Sequence, residues 1–541
     1  LIQRKLFPNS DALKWRDRQP GLSAELVGHA FDVGCLQEVD RFEVHSETLR
    51  YHGYSYEYQR GYRAKKHGLA IVWRTIPRPG APGVIFDPTP AGRALLYLDH
   101  ASVSGSGSNT QTRTGCSRET RNIALFVAIR FASPSSSSEE EEGKGKGLIV
   151  ATTHTFWHPK HSYERARQVG VLIRELDRFR RREGAEWNGW DCVLAGDFND
   201  QPDSATYELT IARSHLRPVA IEEVAESMVV HSSVDEKLNA PPLAGDGREE
   251  RKVGLVEITS EVGAVDGMGT VAAAEGAQTK KKKEGVAVDG VAKPVQEEEA
   301  DEGNDEEEPD EDGEAEAEAE EHEDRILKNC RRALPSDGLL TLNELRRLYD
   351  LSSPPPSSQT EGAAYDASSC PDPREGFDNS PREKGEVIGL RSAYGSFYNR
   401  LLPTSTPSAS VEGDKDGLEA GNFFGSPSRG RERWNDPDWK GSVHVNDGYE
   451  PMWTLYSALF SLTLDYVFLF PRNAPAPAPA PAPATKEGQG EREQEREGRR
   501  PLYPEVTALL RTHRTEVLQP GTPRKGVNAS DHVKIGAEIV I

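Results

Sequence analysis

The chain has 541 residues, of which 35% are hydrophobic, with 49 Gly and 37 Pro; a globular chain usually carries about 45–50% apolar residues with Gly counted. No apolar run reaches the roughly 18 residues of a membrane span, and five cysteines with no paired spacing exclude a disulfide framework and a zinc ribbon. The net charge of −22 is concentrated, since 297–324 holds 19 acidic side chains and neither Lys nor Arg; the remainder is nearly balanced, and an anionic substrate is not excluded.

In chain order, Pro20 is expected to break a helix ahead of the first strand. The apolar runs Val33–Leu36, Leu69–Trp73 and Ile123–Ile129 predict buried strands. Residues of about 133–147 are rich in Ser, Glu and Gly and predict a solvated insert. Leu148–Thr152 is the next strand. Ser162–Arg182 predicts an amphipathic helix, with Val169, Leu172, Ile173 and Leu176 at helical spacing and Ser162 as its cap. Cys192–Ala195 predicts a strand and Asp203–Ala212 a helix. About 235–325, with four lysines at 280–283, reads as a long disordered insert, as do about 352–384, 403–440 and the Ala-Pro and charged tract at 472–500. Thr341-x-x-Glu344 is a capping box opening a helix to Tyr349. Leu464–Phe470 and Ile535–Ile541 are the last strands. Together they predict one α/β domain over 1–541, interrupted by inserts.

The informative feature is chemical. Strand ends carry Glu38, His154, the Gly196-Asp197-Phe198-Asn199 turn, Asp465 and Asp531-His532. A carboxylate straight after an apolar strand is well placed for a hard cation such as Mg²⁺. Any one of these residues is more often a cap or turn residue than a catalyst. Their conjunction is the inventory of metal-assisted phosphoester hydrolysis. Basic and aromatic side chains nearby, Lys65, Lys66, Arg165 and Trp157, are candidates for holding a polyanion and stacking on a base.

The motifs CLQEVD (35–40), THTFWHP (153–159), LAGDFND (194–200), LDYVF (464–468) and SDH (530–532) resemble, in order and spacing, the endonuclease/exonuclease/phosphatase superfamily. PNSDALKW (8–15), HGLAIVWR (67–74) and Tyr449-Glu-Pro-x-Trp-Thr point to its branch of carbon-catabolite-repressor deadenylases, nocturnin and angel proteins, with fungal RNA exonucleases the nearest fit. The resemblance implies a two-sheet α/β sandwich and Mg²⁺-dependent phosphodiester hydrolysis, with Mn²⁺ as the alternative ion. It implies that Glu38 binds the metal and Asp531 supports it. Asp197 would orient or deprotonate water, Asn199 would hold phosphate or water, and His532, oriented by Asp465, would meet the phosphate opposite His154. The implied activity is a 3′→5′ RNA exonuclease; the alternatives are a phosphatase on a nucleotide or cyclic-phosphate end, or a non-catalytic RNA-associated scaffold. The implied protein is intracellular (cytoplasmic, nuclear or nucleolar) and monomeric, acts on single-stranded RNA or another phosphoester, and has neither a membrane contact nor a leucine-rich-repeat docking segment. By the same resemblance an Asn-bearing strand would precede PNSDALKW, and the sheet is expected to lack it.

Overall fold

The computed structural model describes residues 7–28, 30–63, 65–77, 84–103, 113–132, 146–235, 238, 255–257, 329–352, 374, 377, 379–380, 387–401, 423–424, 450–451, 453–457, 461–472, 501–510, 512–513 and 515–541. Its three larger sheets are built from β1 (Val33–Val39), β2 (Tyr54–Arg60), β3 (Gly68–Arg74), β4 (Gly92–Tyr97), β5 (Ile123–Arg130), β6 (Gly147–His154), β7 (Asp191–Asp197), β8 (Leu255–Glu257), β9 (Arg391–Ser392), β10 (Phe423–Phe424), β11 (Asp465–Leu469), β12 (Glu505–Leu510) and β13 (Ala537–Val540). Seven form one sheet in the order β9-β11-β7-β6-β5-β4-β8. Two three-stranded sheets, β1-β3-β2 and β10-β12-β13, pack against it.

The central strands are apolar on both sides because both faces are covered. One face of the large sheet contributes Val127, Val150, Val193, Val467 and Leu469 to a cluster with Ile71, Trp73, Val506 and Leu509 of the smaller sheets. The other face packs Phe126, Ile149 and Leu194 against Leu172 and Leu176 of helix α3 (Ser162–Arg180), which follows α1 (Trp15–Gly28) and α2 (Phe42–Tyr51) in the chain. Each such side chain, fully buried, stabilises the fold by about 1.5–3 kcal/mol.

All pairings in the large sheet are antiparallel except β6 with β7. That parallel pair is joined by α3, the crossover a parallel pair needs. The geometry fixes the site: parallel β6 and β7 end side by side, with His154 in register with Asp197. Antiparallel β11 begins where β7 ends, with Asp465 in register with Asp197.

Several sequence expectations are corrected. The helix before β1, α1 (Trp15–Gly28), runs through Pro20 instead of breaking there. It forgoes the bond of one missing N–H and is held by tertiary contacts: Arg18 Nε donates to the Ala529 carbonyl at 3.0 Å, and Glu25 accepts the Ala529 N–H at 3.1 Å. The cap of α3 is His161, without a side-chain bond, and Ser162 is the first helical residue. Gly196 is not a turn residue; it lies inside β7, where a Cβ would sit 2.3 Å from the Thr153 carbonyl oxygen. The Thr341 box is present, with Thr341 and Glu344 capping each other at the start of the helix Leu342–Tyr349.

Most of 133–147, 235–325, 352–384, 403–440 and 472–500 lies outside the described residues. Short pieces of these spans do join the core. β8 pairs with β4 and β10 with β12, and Asn379 exchanges two 2.8 Å hydrogen bonds with the Leu216 backbone. Among the described residues, no helix is long and apolar enough to cross a membrane.

Candidate active site

Three neighbouring strands and two loops bring the chemistry together at one end of the sandwich. Glu38 sits near the end of β1, where the pairing with β3 slips between Leu36 and Val39. Its φ is +54°. Such an irregularity re-aims a side chain, and a left-handed backbone at a non-glycine residue costs about 1–3 kcal/mol, a strain that clusters at functional sites. Gln37, just before it, donates to Thr152 Oγ1 of β6 at 2.9 Å and ties the two sheets together beneath the site.

His154 lies between two carboxylates. Its Nδ1 is 3.7 Å from Glu38 Oε1 and its Nε2 3.6 Å from Asp197 Oδ2. Burial, reinforced by Lys65, His67 and His532, pushes its pKa down to about 3, so the ring is neutral. Nδ1 is buried and has no hydrogen-bond partner among the described residues.

Asp197 is the buried centre, 5% exposed. Its Oδ1 accepts the Asn199 backbone N–H at 2.8 Å. Asn199 takes the left-handed conformation, φ +49°, which Asn tolerates well, and its side-chain amide donates to the Thr155 carbonyl at 3.0 Å. Asp197 Oδ2 faces His532 Nε2 at 3.8 Å. Burial and the neighbouring Asp465 charge raise the Asp197 carboxyl well above its ordinary value, against the opposing pull of His532 and the Asn199 N–H.

His532 Nδ1 is 2.8 Å from Asp465 Oδ2. Burial alone would lower this imidazole; Asp465 reverses that, with Asp197 and Asp531 adding, and it is held well above the ordinary value. The arrangement is therefore a protonated His532 clamped by Asp465 and facing the Asp197 carboxyl, which burial and Asp465 bias toward its neutral form. The loop is locked by the Leu455–His532 bridge and by Asn528, whose amide donates to the His532 carbonyl at 2.8 Å.

Three sets of described residues can hold a metal, and two of them are made of the residues of this site: Glu38, His67 and His154, and Asp197, Asp465 and His532; the third, Asp99, Cys116 and Glu164, is fully buried. Among the described residues Glu38 is paired only with the neutral His154, whose Nδ1 lies 3.7 Å away without a hydrogen-bond partner among them, and its carboxylate is largely exposed. Hard oxygen donors of this kind fit a divalent cation. Asp531 belongs to none of these sets; its backbone carbonyl accepts from Tyr456 N–H.

The substrate candidates divide. Lys65 is half-buried beside His67 and His154, and its ammonium donates to Asn122 Oδ1. Burial lowers its pKa to about 8. Lys66 is exposed on the same loop. Trp157 is 47% exposed on the loop after His154. Arg165 is corrected: it is buried, pairs with Asp200 at 3.2 Å and donates to the His158 and Pro159 carbonyls. It braces the Trp157 loop from below and is not open to a substrate. The sequence reading missed His67, which precedes the first residue of β3. Its signal was the basic run before a buried strand, where the hairpin pairs Arg60 with Gly68.

Residues 4–248 match the Endonuclease/Exonuclease/phosphatase family. The chain is 30% identical over 270 residues to RNA exonuclease NGL2 of Saccharomyces cerevisiae, covering 48% of each chain. It is 28% identical to the probable RNA exonuclease C9B6.11c of Schizosaccharomyces pombe, covering 46% of this chain and 45% of that one. Among solved structures it is similar to ANGEL2, described as a 2′,3′-cyclic phosphatase, with 19% identity, a TM-score of 0.30 and coverage of 40% of this chain and 56% of that chain. The chain thus spans about half the length of the curated relatives it matches.

Proposed function

We propose that this chain, which resembles the endonuclease/exonuclease/phosphatase family on the branch of the fungal RNA exonucleases, hydrolyses phosphodiester bonds of RNA from the 3′ end with a divalent cation, Mg²⁺ in the first instance. The observation that carries the reading is the unbroken chain of contacts Glu38–His154–Asp197–His532–Asp465, each between 2.8 and 3.8 Å, at adjacent strand ends. Names of the matched relatives as RNA exonucleases support the substrate class.

Glu38 would hold the cation, which when bound supplies Lewis-acid polarisation of a phosphoryl oxygen. Asp197 takes the proton of the attacking water through Oδ2, while the Asn199 N–H fixes Oδ1. The protonated His532 opposes the rise that burial and Asp465 impose on the Asp197 carboxyl, and so favours the ionised form a base requires. His532, kept protonated by Asp465, donates to the oxygen on which charge develops. Water's oxygen bonds to phosphorus, the 3′-oxygen leaves, and the product is a nucleoside 5′-monophosphate. No covalent intermediate is needed.

The test is degradation of 5′-labelled RNA with Mg²⁺ and then with EDTA. Stepwise shortening that stops in EDTA supports the reading; intact RNA under both conditions sinks it. Glu38→Gln is expected to lose activity at low Mg²⁺ and to regain part of it as Mg²⁺ is raised, because the change weakens affinity for the ion. No recovery across the titration would remove Glu38 from the metal site.

Trp157 is the exposed aromatic beside this site. Phe156 and His161 beneath it are buried, Arg118 lies 4.3 Å over the Phe156 ring, and Gln168 accepts the Phe156 N–H. Base stacking is worth about 1–3 kcal/mol. Trp157→Ala is therefore expected to raise KM for RNA roughly 5- to 150-fold with kcat little changed. An unchanged KM would assign Trp157 to packing alone.

A further inference from the structure

We propose that the cation site at Glu38 is completed by two imidazoles, those of His67 and His154, and so prefers a divalent transition ion, Mn²⁺ as its probe, to Mg²⁺. The inference rests on the proposed reading of Glu38 as a metal residue and says which ion that residue holds.

The geometry carries it. Glu38, His67 and His154 each offer a ligand atom, and all three lie within 4.8 Å of one another. Metal–nitrogen bonds of about 2.0–2.2 Å put ligand atoms roughly 3–4.4 Å apart, so the set needs only a small closure. Two members can supply it. Glu38 is 66% exposed, and His67 stands on the loop between β2 and β3. His154 cannot move as readily, being fixed at the end of the large sheet, and its Nδ1 is buried with no hydrogen-bond partner among the described residues.

The other face of His154 fits the same role. Nε2 lies 3.6 Å from Asp197 Oδ2. A ligating imidazole commonly offers its second N–H to a carboxylate, which fixes the ring and strengthens the donor. With Nδ1 on the cation, Nε2–H faces the Asp197 carboxylate, and ion binding and the position of the base become linked through one ring.

Donor type then decides the ion. Mg²⁺ takes oxygen ligands and keeps its waters. Imidazole suits the divalent transition ions, and Mn²⁺, at the weak end of that series, is the conservative probe of the class. Lys65, which lines a small cavity with His67 and His154 and has its ammonium on Asn122, opposes any cation beside them to a similar degree. Its charge lowers affinity without choosing between ions, and the two imidazoles make the choice.

Direct binding tests this without turnover. Mn²⁺ binding by the full chain is read by the loss of the free-ion paramagnetic resonance signal, Mg²⁺ by competition, and nitrogen ligation by electron spin-echo modulation. The expected result is that Mn²⁺ binds at least about tenfold tighter than Mg²⁺, with nitrogen modulation present. His67→Ala should then lower Mn²⁺ affinity about tenfold and Mg²⁺ affinity less than about twofold, and should reduce the modulation. His67→Asn, which keeps a polar side chain of similar size, should do the same. Absent modulation in the parent protein, or an unchanged Mn²⁺/Mg²⁺ ratio in both variants, overturns the inference. If Glu38→Gln still weakens both ions in that case, the hydrolase reading stands alone; if Glu38→Gln changes neither, both fall.

Discussion

Replacing Asp197 with Asn is expected to lower RNA turnover by roughly 10²–10⁴-fold, the usual contribution of a positioned general base. The substitution keeps the volume and leaves an amide oxygen to accept the Asn199 N–H. It removes the basicity and the charge that faces His154 and His532. RNA binding should change little or tighten, because one negative charge beside the phosphate is gone. Single-turnover decay and filter binding separate the two effects. Near-full hydrolysis by the variant in the presence of the metal would disprove the base assignment and leave the function resting on family likeness.

The largest stability effect is expected at Arg167, far from the chemistry. Arg167 and Glu164 are both completely buried in α3. Arg167 Nε donates to Glu164 Oε1 at 3.0 Å, and Nη2 reaches the Leu98 carbonyl at 3.0 Å. Glu164 Oε2 accepts the Ser117 N–H at 2.9 Å and its hydroxyl at 2.8 Å. The pair thus holds the segment 113–122 against α3, behind β6. Arg167→Met preserves bulk but strands the Glu164 carboxylate, and breaking one partner of a buried pair costs about 3–5 kcal/mol. Adding Glu164→Gln should restore part of this, since a neutral amide still accepts from Ser117. The measurement is the urea midpoint of the single and double variants. A double variant no more stable than the single one would mean that the loss is of packing and not of charge compensation.

Much of the site was legible in the sequence for a physical reason. A buried strand must be a run of apolar residues, and the polar residue that ends the run lands at the rim of the sheet. Glu38, His154, Asp197 and Asp465 were found on that ground, and the structure brings them into contact. The capping box at Thr341 was equally local, since both of its bonds lie within four residues. The compositional reading of the low-complexity spans is local too, although Asn379, β8 and β10 show pieces of them paired with the core.

What the sequence left undetermined depends on neighbours distant along the chain. Pro20 reads locally as a helix breaker, yet α1 continues through it because Ala529, some five hundred residues later, binds Arg18 and Glu25. Gly196 reads as a turn residue, and only the parallel pairing of β6 with β7 makes it the residue that allows close approach. Arg165 reads as a free cation, and only the fold turns it inward onto Asp200. His67 carries only the weak local signal of a basic run before a buried strand; it gains meaning when β3 is laid against β1 and its imidazole comes beside Glu38 and His154. The sequence by itself determined which residue types stand at the strand ends, because burial dictates composition along a strand. The tertiary structure decided which of them share a site, because strand order and the register of each pairing are set by contacts between segments that no local pattern encodes.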